Sequence, residues 1–227
     1  MVHGGRYAGG ARRGDVSLRL PGDHGRPLAE GKLHDEYGMH TDHFDFGADP
    51  EHYRVLPEGT HDEVFFYARP ATERRGFELG IMALDLVAKA RPDLTINLVG
   101  EDLRDLEIPF AHRNPHSVGV DELGAIYNRC AVALVLSFSN LSLLPLELLG
   151  AGVIPVVNDA PNNRLVVDNP YVAYTQPTPR ALAEAILAEV DAPDRASRVA
   201  AAAESVTSAD WDQSGRQFIE AFERGMR

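Results

Sequence analysis

The feature that most constrains this chain is a repeated alternation of short, wholly apolar runs with longer segments of helical periodicity, from about residue 64 onward. The run Val64-Phe65-Phe66-Tyr67-Ala68 is apolar at every position, so as a strand it has to be covered on both faces. Residues 76–90 follow, where Leu79, Met82, Ala83, Leu86 and Val87 recur at the spacing of an amphipathic helix. The pattern then repeats. Strands are expected over 94–99, 132–136, 153–157 and 171–174, with a weak one at 108–111. Helices are expected over 121–130, 143–149, 179–190, 192–205 and 213–224. Doubly covered strands separated by helices predict an α/β fold with a Rossmann-like parallel sheet and helices on both faces. In such sheets ligands bind beyond the carboxyl ends of the strands, near the point where the strand order reverses. Chemistry is therefore expected just after residues 68, 99, 111, 136 and 157.

Composition narrows the classes further. A length of 227 residues supports one full core but not two such domains of ordinary size. The net charge of −12 argues against nucleic acid as a partner, because phosphate backbones need a basic field. No apolar run approaches the length of a membrane span, which makes the cytoplasm the expected location. The one cysteine, Cys130, falls on the apolar pattern of the 121–130 helix and reads as a core thiol. His34, His40 and His43 have no recognised zinc spacing, so no metal and no cofactor is expected. Residues 1–27 hold seven glycines and five arginines with little apolar periodicity, and are expected to form a flexible tail. A helix over 28–37, a short strand at 43–46 and a Pro- and Gly-bearing linker come next.

The candidate site lies at two strand ends. Arg69 directly follows the first strand, and Arg74 and Arg75 open the next helix, where cations are unfavourable unless an anion is present. They are either a forked donor set for a diphosphate or solvated charges. After the 132–136 strand comes Ser137-Phe138-Ser139-Asn140-Leu141-Ser142, a small polar segment leading into a helix. Ser142 is a candidate N-cap with Pro145 in the first turn, and unpaired amides at that helix start suit an anion. Glu147 interrupts the apolar stretch around it, which fits either a ribose-binding carboxylate or a structural ion pair. Neither a G-x-G-x-x-G nor a P-loop pattern is present.

In this order these residues resemble the C-terminal domain of retaining-type GT-B glycosyltransferases, over about residues 42–222. The resemblance rests on Arg69, on Arg75-Gly76, on Leu98-Val99-Gly100 and on Ala151-Gly152-Val153-Ile154-Pro155-Val156 after Glu147. It implies that Arg69, Arg75 and the region of Ser142 hold a donor diphosphate and that Glu147 holds the ribose. Val118 and Leu123 would border the nucleobase. Ser139, with Asn140 beside it, stands where the family has a first glutamate that contacts the donor sugar. Phe66-Tyr67-Ala68-Arg69-Pro70 and Arg74-Arg75-Gly76-Phe77-Glu78-Leu79 further resemble the rhamnosyltransferases of bacterial surface-polysaccharide assembly.

The expected organisation is then one half of a GT-B fold. Residues 28–58 would be a remnant of an acceptor domain and its linker, 59–208 the nucleotide-sugar-binding domain, and 209–227 a helix crossing back to the other half. The implied reaction transfers a hexose or deoxyhexose from a nucleoside diphosphate sugar to a glycan or lipid-linked glycan, at the inner face of the membrane in the lipid-linked case. The acceptor domain would be missing or supplied by a partner chain. A non-catalytic nucleotide-sugar module and a GT-B-like epimerase or phosphorylase stay open as alternatives.

Overall fold

The structure, a computed structural model, describes residues 28–226. The expected tail at 1–27 lies outside the described residues. Helix α1, Leu28–Tyr37, leads into an irregular segment that reaches strand β1, Glu63–Ala68. After a 3-10 turn at Glu73–Arg75 come α2 (Phe77–Ala90), β2 (Ile96–Gly100), β3 (Arg113–His116), α3 (Val120–Tyr127) and β4 (Cys130–Val135). The chain continues through α4 (Leu144–Gly150), β5 (Ile154–Asn158), α5 (Pro161–Arg164) and β6 (Ala173–Thr175). Helices α6 (Pro179–Val190), α7 (Arg195–Glu204) and α8 (Trp211–Gly225) complete it.

The strands form one six-stranded sheet in the order β3-β2-β1-β4-β5-β6, and every pairing is parallel. The order reverses between β1 and β4, so the crevice between their carboxyl ends is the topological switch point. The pleat divides the core in two. Val64, Phe66, Leu98 and Leu134 face one layer, closed by Leu84 and Val87 of α2 and by Leu182 and Ile186 of α6. Phe65, Ala133 and Val135 face the other, closed by Tyr127 of α3, by Leu148 and Leu149 of α4 and by Ala202 of α7. The α/β expectation is met.

One close approach sets the seat of α2. A Cβ added at Gly80 would lie 2.3 Å from the ring of Phe66. That ring is only 1% exposed and stacks on Phe77, so it has nowhere to retreat. Gly→Ala in an open helix stabilises by about 1 kcal/mol. Here the sign is expected to reverse, with Gly80→Ala destabilising by about 1–3 kcal/mol through overpacking. A melting temperature at or above the parent's would contradict this seat for α2.

Several local expectations need correcting. Residues 43–46 are not a strand: the Asp45 amide donates to the Gln217 side chain (2.7 Å) and Phe44 meets Phe218 edge-on, so α8 rather than the sheet holds the segment. The edge strand is at 113–116, not 108–111. Its residues Arg113-Asn114-Pro115-His116 carry no apolar alternation because the edge is half exposed, while Ile108 and Phe110 cap the first core layer from a loop. Helix α3 stops at Tyr127, and Asn128, with its side-chain amide donating to the Arg54 and Gly124 carbonyls, turns the chain. Cys130 therefore opens β4 instead of closing a helix. It is fully buried, and burial pushes its thiol well above the usual range, as suits an inert core residue.

Candidate functional site

Arg69 and the turn at Glu73–Arg75 sit at the carboxyl end of β1, opposite residues 136–143 at the carboxyl end of β4. Gly76, with φ of 59°, closes the turn and starts α2; a Cβ there would come within 2.8 Å of the Phe138 ring. That close approach lets Arg74 and Arg75 reach the second loop. Arg74 donates to the Ser139 hydroxyl at 3.2 Å, and its carbonyl accepts the Phe138 amide at 2.9 Å. Arg75 extends Nη1 to the carbonyls of Asn140 (3.4 Å) and Leu141 (3.5 Å).

From the other side, Asn158 at the end of β5 and Asn162 and Asn163 of α5 anchor the same loop. The Ser137 amide donates to Asn158 Oδ1 at 2.8 Å, and the Ser137 carbonyl accepts from Asn158 at 2.9 Å and Asn163 at 3.0 Å. Asn162 donates to the Ser139 carbonyl at 2.5 Å. Asn158, Asn163 and Ser137 are at most 1% exposed, so every polar atom in this cluster has to be satisfied internally, and the bonds hold the loop to one shape.

With its carbonyls turned toward Arg75 and Asn162, the loop leaves its amides free. Among the described residues, no protein group accepts from the amides of Asn140, Leu141, Ser142, Leu143 or Leu144. Ser142 is not an N-cap: it takes the left-handed conformation with φ of 64°, and Leu143 (φ −78°, ψ −23°) stands at the N-terminus of α4. A left-handed residue followed by a right-handed one turns successive amides toward a common point, which makes an anion-binding nest. The strain of a non-glycine residue at positive φ is of the kind kept at functional sites.

The arginines complete the arrangement. Arg75 Nε is buried without a hydrogen-bond partner. Burial, and then the neighbouring charges of Arg74 and Arg69, lower its pKa, so an anion bound here would favour its charged form. Arg69 is less committed to the loop: it lies 3.8 Å from Glu101 and stacks 5.5 Å over the Tyr67 ring. Arg74 thus touches Ser139 and Arg75 touches Asn140 and Leu141, with Ser142 next in the same loop and Arg69 at the carboxyl end of β1.

Glu147, on the first turn of α4, is half buried, and Tyr127 donates to its Oε2 at 3.4 Å. No cation among the described residues pairs with it, so the structural ion pair weighed as its other role is absent there; burial raises its pKa. Val118 and Leu123 lie on the same side, partly buried against the α3–α4 core layer. Sequence reading missed Tyr127 and the asparagine anchors. Asn158, Asn162 and Asn163 were findable, since three asparagines follow a strand's carboxyl end. No group of three or more His, Cys, Asp or Glu placed to hold a metal occurs among the described residues.

Residues 62–187, more than half of the chain, match the family model described as WsaF, C-terminal domain. The chain belongs to the WsaF C-terminal domain family. A curated relative, the O-antigen biosynthesis protein RfbC of Myxococcus xanthus, is 35% identical over 133 residues; the match covers 56% of this chain and 10% of that protein. A glycosyltransferase from Rickettsia africae superposes with a TM-score of 0.70 at 13% identity, over 88% of this chain and 62% of the other. An Anabaena protein, HepE, solved in complex with UDP and glucose, gives 0.65 at 16% identity, over 81% and 57%. The fold of this WsaF-type domain is that of GT-B glycosyltransferases, and the chain spans about a tenth of its curated relative and little more than half of these solved chains. No helix among the described residues is long and apolar enough to cross a membrane.

Proposed function

We propose that this WsaF-type domain is the donor-binding half of a glycosyltransferase that takes a nucleoside diphosphate sugar and passes its hexose or deoxyhexose to a glycan in surface-polysaccharide assembly. The observation that carries the reading is the nest of unpaired amides at 142–144, with Arg75 reaching the adjoining carbonyls of Asn140 and Leu141. Departure of the diphosphate from the anomeric carbon builds negative charge, and donors already aimed at that position stabilise it without reorganising. Arg75, with the amides, fits the inner phosphates, and Arg69 at the flank adds charge. Glu147 stands within one turn of the nest, where a ribose joined to the diphosphate would fall. Ser139 and Asn140 fit the sugar side, and Val118 and Leu123 offer the apolar edge that a base requires. Rhamnose as the donor sugar, and a lipid-linked glycan as acceptor, rest on the resemblance of the Arg69 and Arg75 segments alone.

The acceptor-binding half is proposed to lie elsewhere in the longer polypeptide or on a partner. Supporting this, Trp211, Phe218 and Phe222 of α8, and Met226 just after it, are between 43% and 66% exposed. An amide-detected NMR titration with uridine or thymidine diphosphate tests the donor site. The largest shifts are expected at the amides of residues 140–144, and shifts confined to other segments would remove the diphosphate assignment.

A further inference from the structure

The side chain that supports Glu147 has a chemistry that packing does not require. Tyr127 closes α3 and is 1% exposed, wedged edge-on to Phe65 and tilted against Tyr53. Phenylalanine would fill that space as well, yet the buried ring carries a hydroxyl, and burying a hydroxyl is costly without a partner. Among the described residues Glu147 is the one partner it has, at 3.4 Å. The other carboxylate oxygen, Oε1, takes no protein hydrogen bond and is not among the sealed, unsatisfied atoms of the described residues, so it reaches solvent. One oxygen is held from beneath and the other is presented outward.

We infer that Tyr127 is a positioning residue, whose hydroxyl holds Glu147 aimed so that its free oxygen receives the ribose of the nucleotide. This rests on the proposed ribose role of Glu147. The spacing of 3.4 Å is longer than the usual 2.7–2.8 Å for such a bond. Bonds of this kind are often loose in the unliganded state and tighten once the ligand is bound.

The surroundings give the hydroxyl its role. Glu147 faces Tyr127 from α3 and Tyr53 from the segment before β1, with Asp49 beyond Tyr53 and Tyr67 reaching Tyr127 from β1. None of these supplies a positive charge. Burial works against ionisation of Glu147, and the Tyr127 bond is what counters it. Tyr127 itself is held well above its ordinary value by burial first and then by Glu147, so it stays protonated and can only donate to the ionised carboxylate.

The test is calorimetric titration of the full chain with the tightest binder among uridine, thymidine, guanosine and adenosine diphosphates, from about pH 5 to about pH 8. Parent, Tyr127→Phe and Glu147→Gln are compared, with inorganic pyrophosphate as the second probe. Tyr127→Phe keeps the ring and is expected to weaken nucleotide binding by about two- to tenfold, with pyrophosphate unchanged. The acid limb of its binding curve should move to higher pH, because Glu147 then ionises later; a purely structural role would leave that limb in place. Glu147→Gln should leave only the limb set by the nucleotide's own terminal phosphate, which titrates at about pH 6. Weakened binding in Glu147→Gln beside parent-like affinity and pH profile in Tyr127→Phe overturns the inference about Tyr127. Parent-like binding in Glu147→Gln overturns the ribose role on which it rests.

Discussion

Replacing Arg75 with alanine is expected to weaken nucleoside diphosphate binding by about 10- to 150-fold, the equivalent of losing charge-assisted hydrogen bonds worth about 1.5–3 kcal/mol. The size follows from where the guanidinium sits. It is half buried, its Nε has no partner, and its Nη1 reaches only two long contacts to loop carbonyls. An incoming phosphate therefore replaces no strong existing bond. Arg75→Lys should recover only part of the loss, because a compact ammonium lacks the planar fork that donates two parallel bonds. Arg69→Ala is expected near the lower end of the same range, since its side chain is 44% exposed and already lies near Glu101. Isothermal titration of the three variants checks this ordering. Unchanged affinity in both alanine variants would remove the diphosphate assignment.

Glu147→Gln is expected to separate function from stability. Nucleoside diphosphate binding should weaken by about 1–3 kcal/mol from loss of a charged acceptor, with pyrophosphate binding unaffected. A thymidine nucleotide, lacking the 2′-hydroxyl, should lose less than a uridine one. Stability should move the other way. Burial raises the folded-state pKa of Glu147 above its ordinary 4.5. Between these values the folded chain binds the proton more tightly than the unfolded chain, so stability present below pH 4.5 is lost as pH rises through the folded value. At neutral pH the glutamine variant should melt no lower than the parent, and its advantage should vanish toward pH 4.5. A variant that binds nucleotides like the parent, or unfolds at neutral pH, would contradict this account of Glu147.

The fold was legible because its strands are buried on both faces: Val64 to Ala68 and the 132–136 run have no polar position to misread. Legibility failed where burial is partial. The edge strand at 113–116 is polar because one side meets solvent, so the nearby apolar Ile108 and Phe110 drew the assignment. Helix α3 was overrun because Cys130 continues its apolar pattern, while the turn is made by a side chain, Asn128, bonding to the Gly124 carbonyl and to that of distant Arg54. At the site, Arg69, Arg75 and Glu147 were readable as charges in places that disfavour charge. The nest was not readable, because it depends on the backbone of Ser142, which Asn158 and Asn163, far downstream, help to set through Ser137. Tyr127 was invisible for a related reason: a tyrosine on the buried face of a helix looks like core until its hydroxyl is seen beside Glu147.

The central claim is that the crevice between β1 and β4 binds a nucleoside diphosphate through both its phosphates and its ribose. Calorimetry with uridine, thymidine, guanosine and adenosine diphosphates, alongside inorganic pyrophosphate, tests it on the unmodified chain. The account predicts saturable, one-to-one binding of at least one nucleotide, tighter than pyrophosphate, with pyrophosphate competing for the same site. Binding of none of the four, or a pyrophosphate affinity equal to that of every nucleotide, would contradict it.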